Sequence, residues 1–527
     1  MTADYHVEVF TDHEQRRLAP YVTNLDRPVF GLVNLPQVTA AALFARYSRS
    51  AKSLRRLLLD EFLTEEGEIG PTTTDAGRAR ATDLFGRVLA DYGDDSVAQL
   101  AGVHLACEQV SQQLAKAIEW GRLAAYLEQS TRYIPYTDRR DGHFRYIRDG
   151  ELLASPLGAT YVRAMDRLFE TYSALREPLA DHLDKTLPPE ADAKARKRAI
   201  RALALDIMRA LLPAGTVSNV GMYASPQAYE QLVLRLRAHP LPEARAYAEL
   251  VNTELQGLIP DFLTRLDRPE RGGVWVDYLR DTAASLALDA DALSPEHEWG
   301  PPGVTLVDWD GDGEDRILAA ALFPFSHASE ERLLAAVRPL SPSRRESLFA
   351  AAVGIRGNRR HKPGRGFEHT DYTFEVISDY GAFRDLQRHR LLTIQWQELT
   401  PALGYEVPPA IVDAGLAEQW RAAVRESEVA YREIAPTFPQ QAGYLVTLGH
   451  RVRYLIKLNA REAMHLIELR TSPQGHPSYR QICREMLRLV DDVAGHHLIA
   501  GAMRFTGSED VHLPRYASEA SRRSEDE

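Results

Sequence analysis

The sequence predicts a helix-rich α+β protein. Apolar residues recur at helical spacing over long stretches of the first half, and the second half also contains two short segments with the pattern of β-strands. Hydrophobic residues make up 44% of the 527 residues and charged residues 26%, which is the composition of a folded globular protein. At about 100–200 residues per domain, this length predicts two to four domains.

The first predicted domain spans residues 20–267 and is strongly helical. Apolar residues follow helical spacing in the stretches at 44–63, 100–129 and 244–258. The segment at 268–303 contains RPERGG and EHEWGPPG, and its Pro and Gly content predicts a linker.

The second predicted domain spans residues 304–510. VTLVDW at 304–309 and DYTFEVI at 371–377 are strand candidates, and helical spacing returns at 415–434. The tail at 511–527 is polar and charged, so we expect it to fray.

Charge and cysteine content exclude several classes of protein. The chain has 63 Lys and Arg against 74 Asp and Glu, a formal net charge of −11, whereas a nonspecific nucleic-acid coat is normally basic. Two cysteines far apart, Cys107 and Cys483, exclude a disulfide framework and a Cys-rich metal site. With no secretory signal and no run approaching about 18 apolar residues, we expect a cytoplasmic protein that binds neither nucleic acid nor membrane.

Two acidic motifs match metal sites only in part. DWDGDG at 308–313 follows the opening of a calcium-binding loop, but the twelfth position, which must supply a bidentate carboxylate, is Ala319. Asp492 and His496 are four residues apart on a predicted helix, without a third convergent ligand. We therefore predict no metal site.

The densest chemical motif is a run of cations in the second domain. The loop IRGNRRHKPGRG at 355–366 contains four arginines and a lysine, and RDLQRHR follows at 384–390. If RDLQRHR is helical, Arg384 and Arg388 lie on one face and could clamp phosphate or pyrophosphate. A solvated charged face is the alternative.

Another polar group begins at Asn459. With Glu462 three residues later, Asn459 resembles a capping box that starts a helix, on which Arg461 and His465 share a face and Arg470 comes last. An anion or flavin contact at this helix start and an ordinary capped amphipathic helix remain alternatives.

The first domain has one comparable group. Glu128, Ser130 and Arg132 alternate, so in an extended segment they would point to one side and could bind a polar ring and its phosphate. A loop that ends a helix explains the same pattern. Arg209 and Arg237 are candidate phosphate ligands at longer range.

From residue 304 onwards the sequence resembles the flavin-dependent thymidylate synthases, the ThyX-type family. GFEHTDYTFEVISDYGAFRDLQRHR at 366–390 is similar to the family segment that runs from FEH to RHR. RVRYLIKLNAREAMHLIELR at 451–470 is similar to the family's NAR helix. The resemblance covers about 304–490.

The first domain resembles a second, diverged copy of the same family. LEQSTRY at 127–133 is similar to the family motif ExSxRY, while the positions of RHR read WGR at 120–122. The second domain keeps RHR and NAR, but its ExSxRY positions read WQELTP at 396–401. Because the two copies have lost complementary motifs, the resemblance implies two tandem ThyX-like domains that form a pseudo-dimer.

The resemblance implies that the two copies divide one active site. The second copy would bind FAD through Glu368, His369, Arg388, His389, Arg390, Asn459 and Arg461. Pyrimidine nucleotide would be bound by Glu128, Ser130, Arg132, Arg209 and Arg237 of the first copy, with Arg384 and Arg470 of the second. Ser130 and Arg132 are the expected catalytic residues.

The implied reaction is reductive methylation of dUMP to dTMP. Methylenetetrahydrofolate would supply the carbon, NADPH would reduce FAD, and the flavin would deliver hydride to the pyrimidine. We expect a homodimer that resembles the tetramer of the family. The alternative is a flavin- or nucleotide-binding homologue that has lost methyl transfer or acts on another pyrimidine nucleotide.

Overall fold

The computed structural model describes residues 8–48, 50–63, 99–294 and 300–507, with residues 513 and 516. Residues 64–98 of the first predicted domain, 295–299 of the predicted linker and most of the predicted tail lie outside the described residues. The described part is rich in helices and has several small sheets, so the predicted helix-rich α+β class is confirmed.

Helices occur in every long stretch of the described residues. In order they are α1 (Asp12–Leu18), α2 (Gln37–Tyr47), α3 (Leu54–Leu57), α4 (Gln112–Ile118), α5 (Gly150–Ala154), α6 (Gly158–Thr186), α7 (Ala193–Met208), α8 (Pro226–Ala238), α9 (Pro242–Leu258), α10 (Val274–Leu293), α11 (Gly313–Leu322), α12 (Glu330–Val337), α13 (Pro342–Val353), α14 (Tyr380–Leu386), α15 (Pro409–Asp413), α16 (Ala417–Ile434), α17 (Pro439–Ala442), α18 (Ala460–Arg470), α19 (Pro477–Asp492) and α20 (His497–Ala502). Among the described helices, none combines the length and the apolar character needed to cross a bilayer.

The strands of the described residues form three sheets. They are β1 (Val103–Ser111), β2 (Ala124–Glu128), β3 (Arg139–Arg140), β4 (His143–Phe144), β5 (Val217–Ala224), β6 (Gly303–Trp309), β7 (Asp371–Asp379), β8 (Thr393–Trp396) and β9 (Arg451–Asn459). The sheet orders are β1-β5-β2, β3-β4 and β6-β7-β9-β8, and the four-stranded sheet is antiparallel throughout. Both strands predicted in the second domain are therefore confirmed.

The chain divides into two compact units. Unit 1 comprises Met1–Cys107, Leu123–Leu127 and Val220–Pro295, and unit 2 comprises Glu108–Arg122, Glu128–Asn219 and Glu296–Glu527. Unit 2 thus contains residues of both predicted domains, because the chain passes from one unit to the other within β1, just before β2, at the last residue of β2 and within β5. The last boundary, between Pro295 and Glu296, falls inside the predicted linker.

Unit 1 has helices at its centre. Leu232 and Leu236 of α8 and Leu255 of α9 are buried, and a second cluster of buried leucines surrounds Leu18 and Leu58. The segment predicted as a linker contributes the 20-residue helix α10 to this unit, so it is more ordered than its Pro and Gly content indicated.

Unit 2 is built on the four-stranded sheet. β7 alternates as its sequence predicts, with Tyr372, Phe374 and Val376 buried on one face, and it pairs with β9 along its whole length. α19 packs on this sheet, and the long helix α6 packs against α16. Burial of these apolar faces supplies the main stabilisation of the unit.

The two predicted copies share one order of elements. In the first copy β1, α4 and β2 are followed by long helices and by β5, which lies between β1 and β2 in the sheet. In the second, β7, α14 and β8 are followed by α16 and by β9, which lies between β7 and β8. Within unit 2, short backbone segments before β5 and β9 pair: Ala214 N–H donates to Val446 O and Leu448 N–H to Leu212 O, both at 2.8 Å.

The helix predicted over 100–129 is wrong. β1 occupies Val103–Ser111, only α4 is helical, and β2 follows. The Ser111 side chain accepts a hydrogen bond from Leu114 N–H (3.0 Å) and so starts α4 there. β1 is a strand because it pairs with β5, more than a hundred residues later, and such a partner overrides local periodicity.

Candidate active site

Glu128, the last residue of β2, is a buried carboxylate surrounded by cations. Its Oε2 lies 2.8 Å from Arg388 Nη2 and 3.2 Å from Lys116 Nζ, and its Oε1 accepts a short hydrogen bond from Arg384. Burial raises the pKa of this carboxyl, but the charges of Arg384, Lys116 and Arg388 outweigh it and hold the pKa well below its usual range. Glu128 is therefore ionised at neutral pH and holds cations from both predicted copies.

The two arginines reach Glu128 from different local structures. Arg384 is buried on α14, whose first turn is capped by the Asp379 side chain. α14 ends at Leu386, so the helix considered for RDLQRHR stops before Arg388. Arg388 reaches Glu128 because the chain turns after the helix, and it stays 40% exposed, open to a ligand.

Arg132 forms a bidentate ion pair with Asp206 of α7. Its Nε and Nη2 atoms lie 2.6 and 2.7 Å from the two carboxylate oxygens, and its Nη1 donates to Tyr479 OH at 3.1 Å. Ser130 Oγ accepts a hydrogen bond from the backbone N–H of Arg132 (3.2 Å). Glu128, Ser130 and Arg132 do not share one extended segment, because β2 ends at Glu128 and a turn follows.

Asp385 lies between two arginines from different predicted copies. Its Oδ2 is 3.1 Å from Arg209 Nη1, and its Oδ1 is 4.0 Å from Arg470 Nη1. Burial raises the pKa of Asp385, but the charges of Arg209, Arg388 and Arg470 hold it well below its usual range. Arg209 is buried, and its Nη2 has no hydrogen-bond partner among the described residues, so a ligand acceptor could bind there.

These side chains form two neighbouring ion-paired sets, which we call the arginine cluster. The sets are Lys116, Glu119, Glu128, Arg384 and Arg388, and Arg132, Asp206, Arg209, Asp385 and Arg470. Each set has three cations and two carboxylates, so the cluster holds two positive charges in excess. A phosphate monoester, which is a dianion, would neutralise that excess.

The carboxylates of the cluster other than Glu128 were not predicted from the sequence. Asp385 stands inside RDLQRHR, where an acid among four basic residues was a usable signal of ion pairing. Glu119 and Asp206 lie in stretches with no motif, and Lys116 reads as one polar residue of an amphipathic helix. Only the tertiary structure brings them to the predicted residues.

His389 is buried and uses both ring nitrogens within the protein. Arg470 Nε donates to His389 Nε2 (3.0 Å), so the ring proton of neutral His389 is on Nδ1, 2.9 Å from Glu462 Oε1. Burial, together with the charges of Arg470 and Lys362, lowers the pKa of His389 well below its ordinary value. His389 is therefore a neutral group that positions Arg470.

His389, Glu462 and His465 bring their ligand atoms within 4.8 Å of one another, the spacing of a metal site. A metal ion needs a free lone pair on each imidazole. His389 has none, since one nitrogen accepts from Arg470 and the other carries the proton that Glu462 accepts. The three residues fit a hydrogen-bonded support for Arg470 better than a cation site.

Of the remaining predicted flavin ligands, Asn459 and Arg461 belong to the start of α18, and Glu368 contacts Arg461. Asn459 caps this helix, as predicted, by accepting a hydrogen bond from the backbone N–H of Glu462 (2.9 Å), but the Glu462 side chain contacts His389 instead of completing the predicted capping box. Arg461 Nη1 lies 3.4 Å from Glu368 Oε1. His369 is exposed, and so is Arg390, with which no described residue forms an ion pair.

Arg237 belongs to unit 1 and is already ion-paired. Its Nε lies 2.7 Å from Glu249 Oε1 and its Nη2 2.8 Å from Asp267 Oδ1. These contacts link α8 to α9 and to the segment that follows α9. Nucleotide binding by Arg237 stays a prediction without support from its contacts.

Acidification is expected to destabilise unit 2 through its histidines. Burial lowers the pKa of His389, and lowers the pKa of His465 and of His476 to about 4. Since the unfolded chain takes up protons below its ordinary histidine pKa of about 6.5, stability is lost as pH falls from there. Each fully buried neutral histidine lowers the free energy of unfolding by up to about 2 kcal/mol at about pH 5, and a partly exposed one lowers it by less.

Urea unfolding at about pH 7.5 and at about pH 5 gives two free energies of unfolding, and their difference measures this loss. We expect His465→Gln to reduce the difference between the two free energies of unfolding. His327→Gln, which changes an exposed histidine, should leave the difference unchanged. Equal free energies for the unsubstituted protein at both pH values would contradict the neutral assignment.

Comparison with known proteins gives a family and several full-length relatives. The family model described as thymidylate synthase complementing protein matches residues 36–261 and 305–495. The UPF0159 proteins of Chlamydia muridarum and Chlamydia pneumoniae are 38% and 36% identical to this chain, covering 98% and 97% of it and 99% and 98% of their own lengths. The UPF0159 protein of Thermoplasma acidophilum is 29% identical over 92% of the chain and 98% of its own length.

The matched segments include the residues that form the arginine cluster and the start of α18. The match covers most of the chain in two stretches, one in each predicted copy. In each stretch, the last strand along the chain lies between two earlier strands in the sheet: β5 between β1 and β2, and β9 between β7 and β8. The chain therefore belongs to the thymidylate synthase complementing proteins, the ThyX-type family.

Proposed function

We propose that the protein is a flavin-dependent thymidylate synthase, which methylates dUMP to dTMP with methylenetetrahydrofolate and NADPH. The observation that carries the proposal is the arginine cluster, whose excess positive charge suits the phosphate of a nucleoside monophosphate on one side and the pyrophosphate of FAD on the other. Its members come from both matched segments, so neither segment alone would contain this charge distribution.

The residues on the flavin side fit FAD by the chemistry of their donors. Arg388 is partly exposed, and Arg390 is exposed and without an ion-pair partner among the described residues, so both can bind a pyrophosphate. His389 supports this side by positioning Arg470 rather than by binding phosphate itself. Bound FAD would supply the hydride chemistry, while the protein supplies orientation and charge.

On the nucleotide side, three arginines are held ready for an anion. Asp206 holds Arg132, Asp385 holds Arg209, and His389 holds Arg470, so these guanidinium groups lose little freedom when a phosphate binds. Preorganised charge of this kind lowers the cost of reorganisation on binding and in the reaction. The carboxylates thus act as positioning groups for the arginines.

Glu128 would connect the two sides of the active site. It holds Arg384 and Arg388 of the second copy next to Lys116 of the first. We propose that the tandem copies form a pseudo-dimer on this basis and that two chains rebuild the tetramer-like assembly of the family. The pairing of the segments before β5 and β9 supports the first part of this proposal.

The absorption spectrum of the purified protein with FAD, before and after adding dUMP, tests the proposed function. We expect a flavin spectrum that dUMP perturbs, because the nucleotide would lie beside the isoalloxazine ring. Product formation with methylenetetrahydrofolate and NADPH would then establish the reaction. A flavin spectrum without a dUMP response would favour another substrate, and a protein that takes up no FAD would contradict the proposal.

A further inference from the structure

The basic loop, which we define as residues 356–365, is held rigidly at its start. Arg356 is buried and forms a bidentate ion pair with Glu468, with N–O distances of 2.8 and 2.5 Å. Its Nη1 also donates to Ala502 O (2.8 Å), and its Nε donates to His361 O within the loop (2.6 Å). A fully satisfied buried ion pair of this kind fixes the course of the loop that follows it.

The end of the loop contacts two residues that the family resemblance assigns to FAD. Arg461 Nε donates to Pro363 O (2.9 Å), and Arg365 forms an ion pair with Glu368 (2.9 Å). Glu368 also lies 3.4 Å from Arg461. The loop is thus attached directly to the flavin side of the proposed active site.

Between these attachments, the loop presents cations without acidic partners. Arg359 is partly exposed, and Arg360 and Lys362 are exposed. No side chain in the described part of the chain forms a hydrogen bond or ion pair with the charged groups of these three residues. Three cations within four residues of chain repel one another, so an anion that binds there stabilises the arrangement.

The loop cations lie close to α18, as the hydrogen bond between Arg461 and Pro363 indicates. Burial lowers the pKa of His465 to about 4, and the charges of Lys362 and Arg359 contribute to that shift. Lys362 also contributes to the lowered pKa of His389. Lys362 directly precedes Pro363, whose carbonyl oxygen accepts the hydrogen bond from Arg461, so this end of the loop lies at the start of α18, and the charge effects on His465 agree with that position.

We propose that Arg359 and Lys362 bind the pyrophosphate of FAD and so extend the flavin site beyond the residues of the family motifs. This inference rests on the proposed function. A dinucleotide pyrophosphate fits because it carries two negative charges on an extended group, which one guanidinium and one ammonium can bind together. NADPH has the same pyrophosphate, but the contacts to Arg461 and Glu368 favour FAD.

Titration of apo-protein with FAD and with riboflavin, followed by flavin fluorescence, tests the proposal. Riboflavin has no phosphate, so it reports the ring site alone. We expect Lys362→Ala and Arg359→Ala each to raise the Kd for FAD about tenfold, the loss of one charge-assisted contact, and to leave the Kd for riboflavin unchanged. Higher salt should weaken FAD binding more than riboflavin binding.

Arg344→Ala is the matched control, because Arg344 is an exposed arginine on α13 that no described residue pairs with. It should change neither Kd. The inference is overturned if both loop variants bind FAD as tightly as the unsubstituted protein, or if they weaken NADPH binding alone. Failure of the unsubstituted protein to bind either flavin would instead contradict the proposed function.

Discussion

Glu128→Gln is expected to lower the free energy of unfolding by about 3–5 kcal/mol, the cost of removing one partner from a buried ion pair. The substitution keeps the shape of the side chain but removes the charge that Arg384, Lys116 and Arg388 share. Two of these cations are buried, so they would be left without sufficient compensation in a region of low dielectric. Urea unfolding at about pH 7.5 measures the change as a shift in midpoint.

Glu170→Gln provides the control for this substitution. Glu170 pairs with Arg139 on the surface, where the two side chains are 55% and 43% exposed. Removing an exposed ion pair should change the free energy of unfolding by no more than about 1 kcal/mol. Similar effects of the two substitutions would mean that the charge of Glu128 does not hold the arginine cluster together.

Arg132→Lys is expected to weaken dUMP binding about tenfold or more while FAD stays bound. Lysine keeps the positive charge near Asp206, so the fold should tolerate it, but a single ammonium cannot keep both Asp206 contacts and also bind the phosphate as a guanidinium can. A charge-assisted contact is worth roughly 1.5–3 kcal/mol. The dUMP concentration that half-perturbs the flavin spectrum measures the effect.

Arg388→Ala should give the opposite result, with FAD released, because Arg388 is the partly exposed cation on the flavin side. Arg139→Lys, which changes an exposed arginine in a surface ion pair, serves as the control and should change the binding of neither ligand. If Arg132→Lys also released FAD, the division of the active site between the two copies would be wrong.

Motifs with a fixed internal spacing were predictable from the sequence. The N-cap at Asn459 and the alternation of β7 depend on neighbours within a few residues, so local chemistry is enough to establish them. The family was also predictable, because the motifs around His389 and Arg132 are specific. The strand β1 within residues 100–129 was not predictable, because it is a strand only through its pairing with β5.

The sequence by itself determined the fold class, the family and the basic residues that could bind phosphate. Only the tertiary structure decided which carboxylates hold them: Glu128 reaches Arg388 across 260 residues of chain, and Asp385 reaches Arg209 across 176. No local pattern encodes such a pair, because its energy arises from burial and distance rather than from sequence spacing. For the same reason, the role of His389 followed from the atoms that its two nitrogens contact.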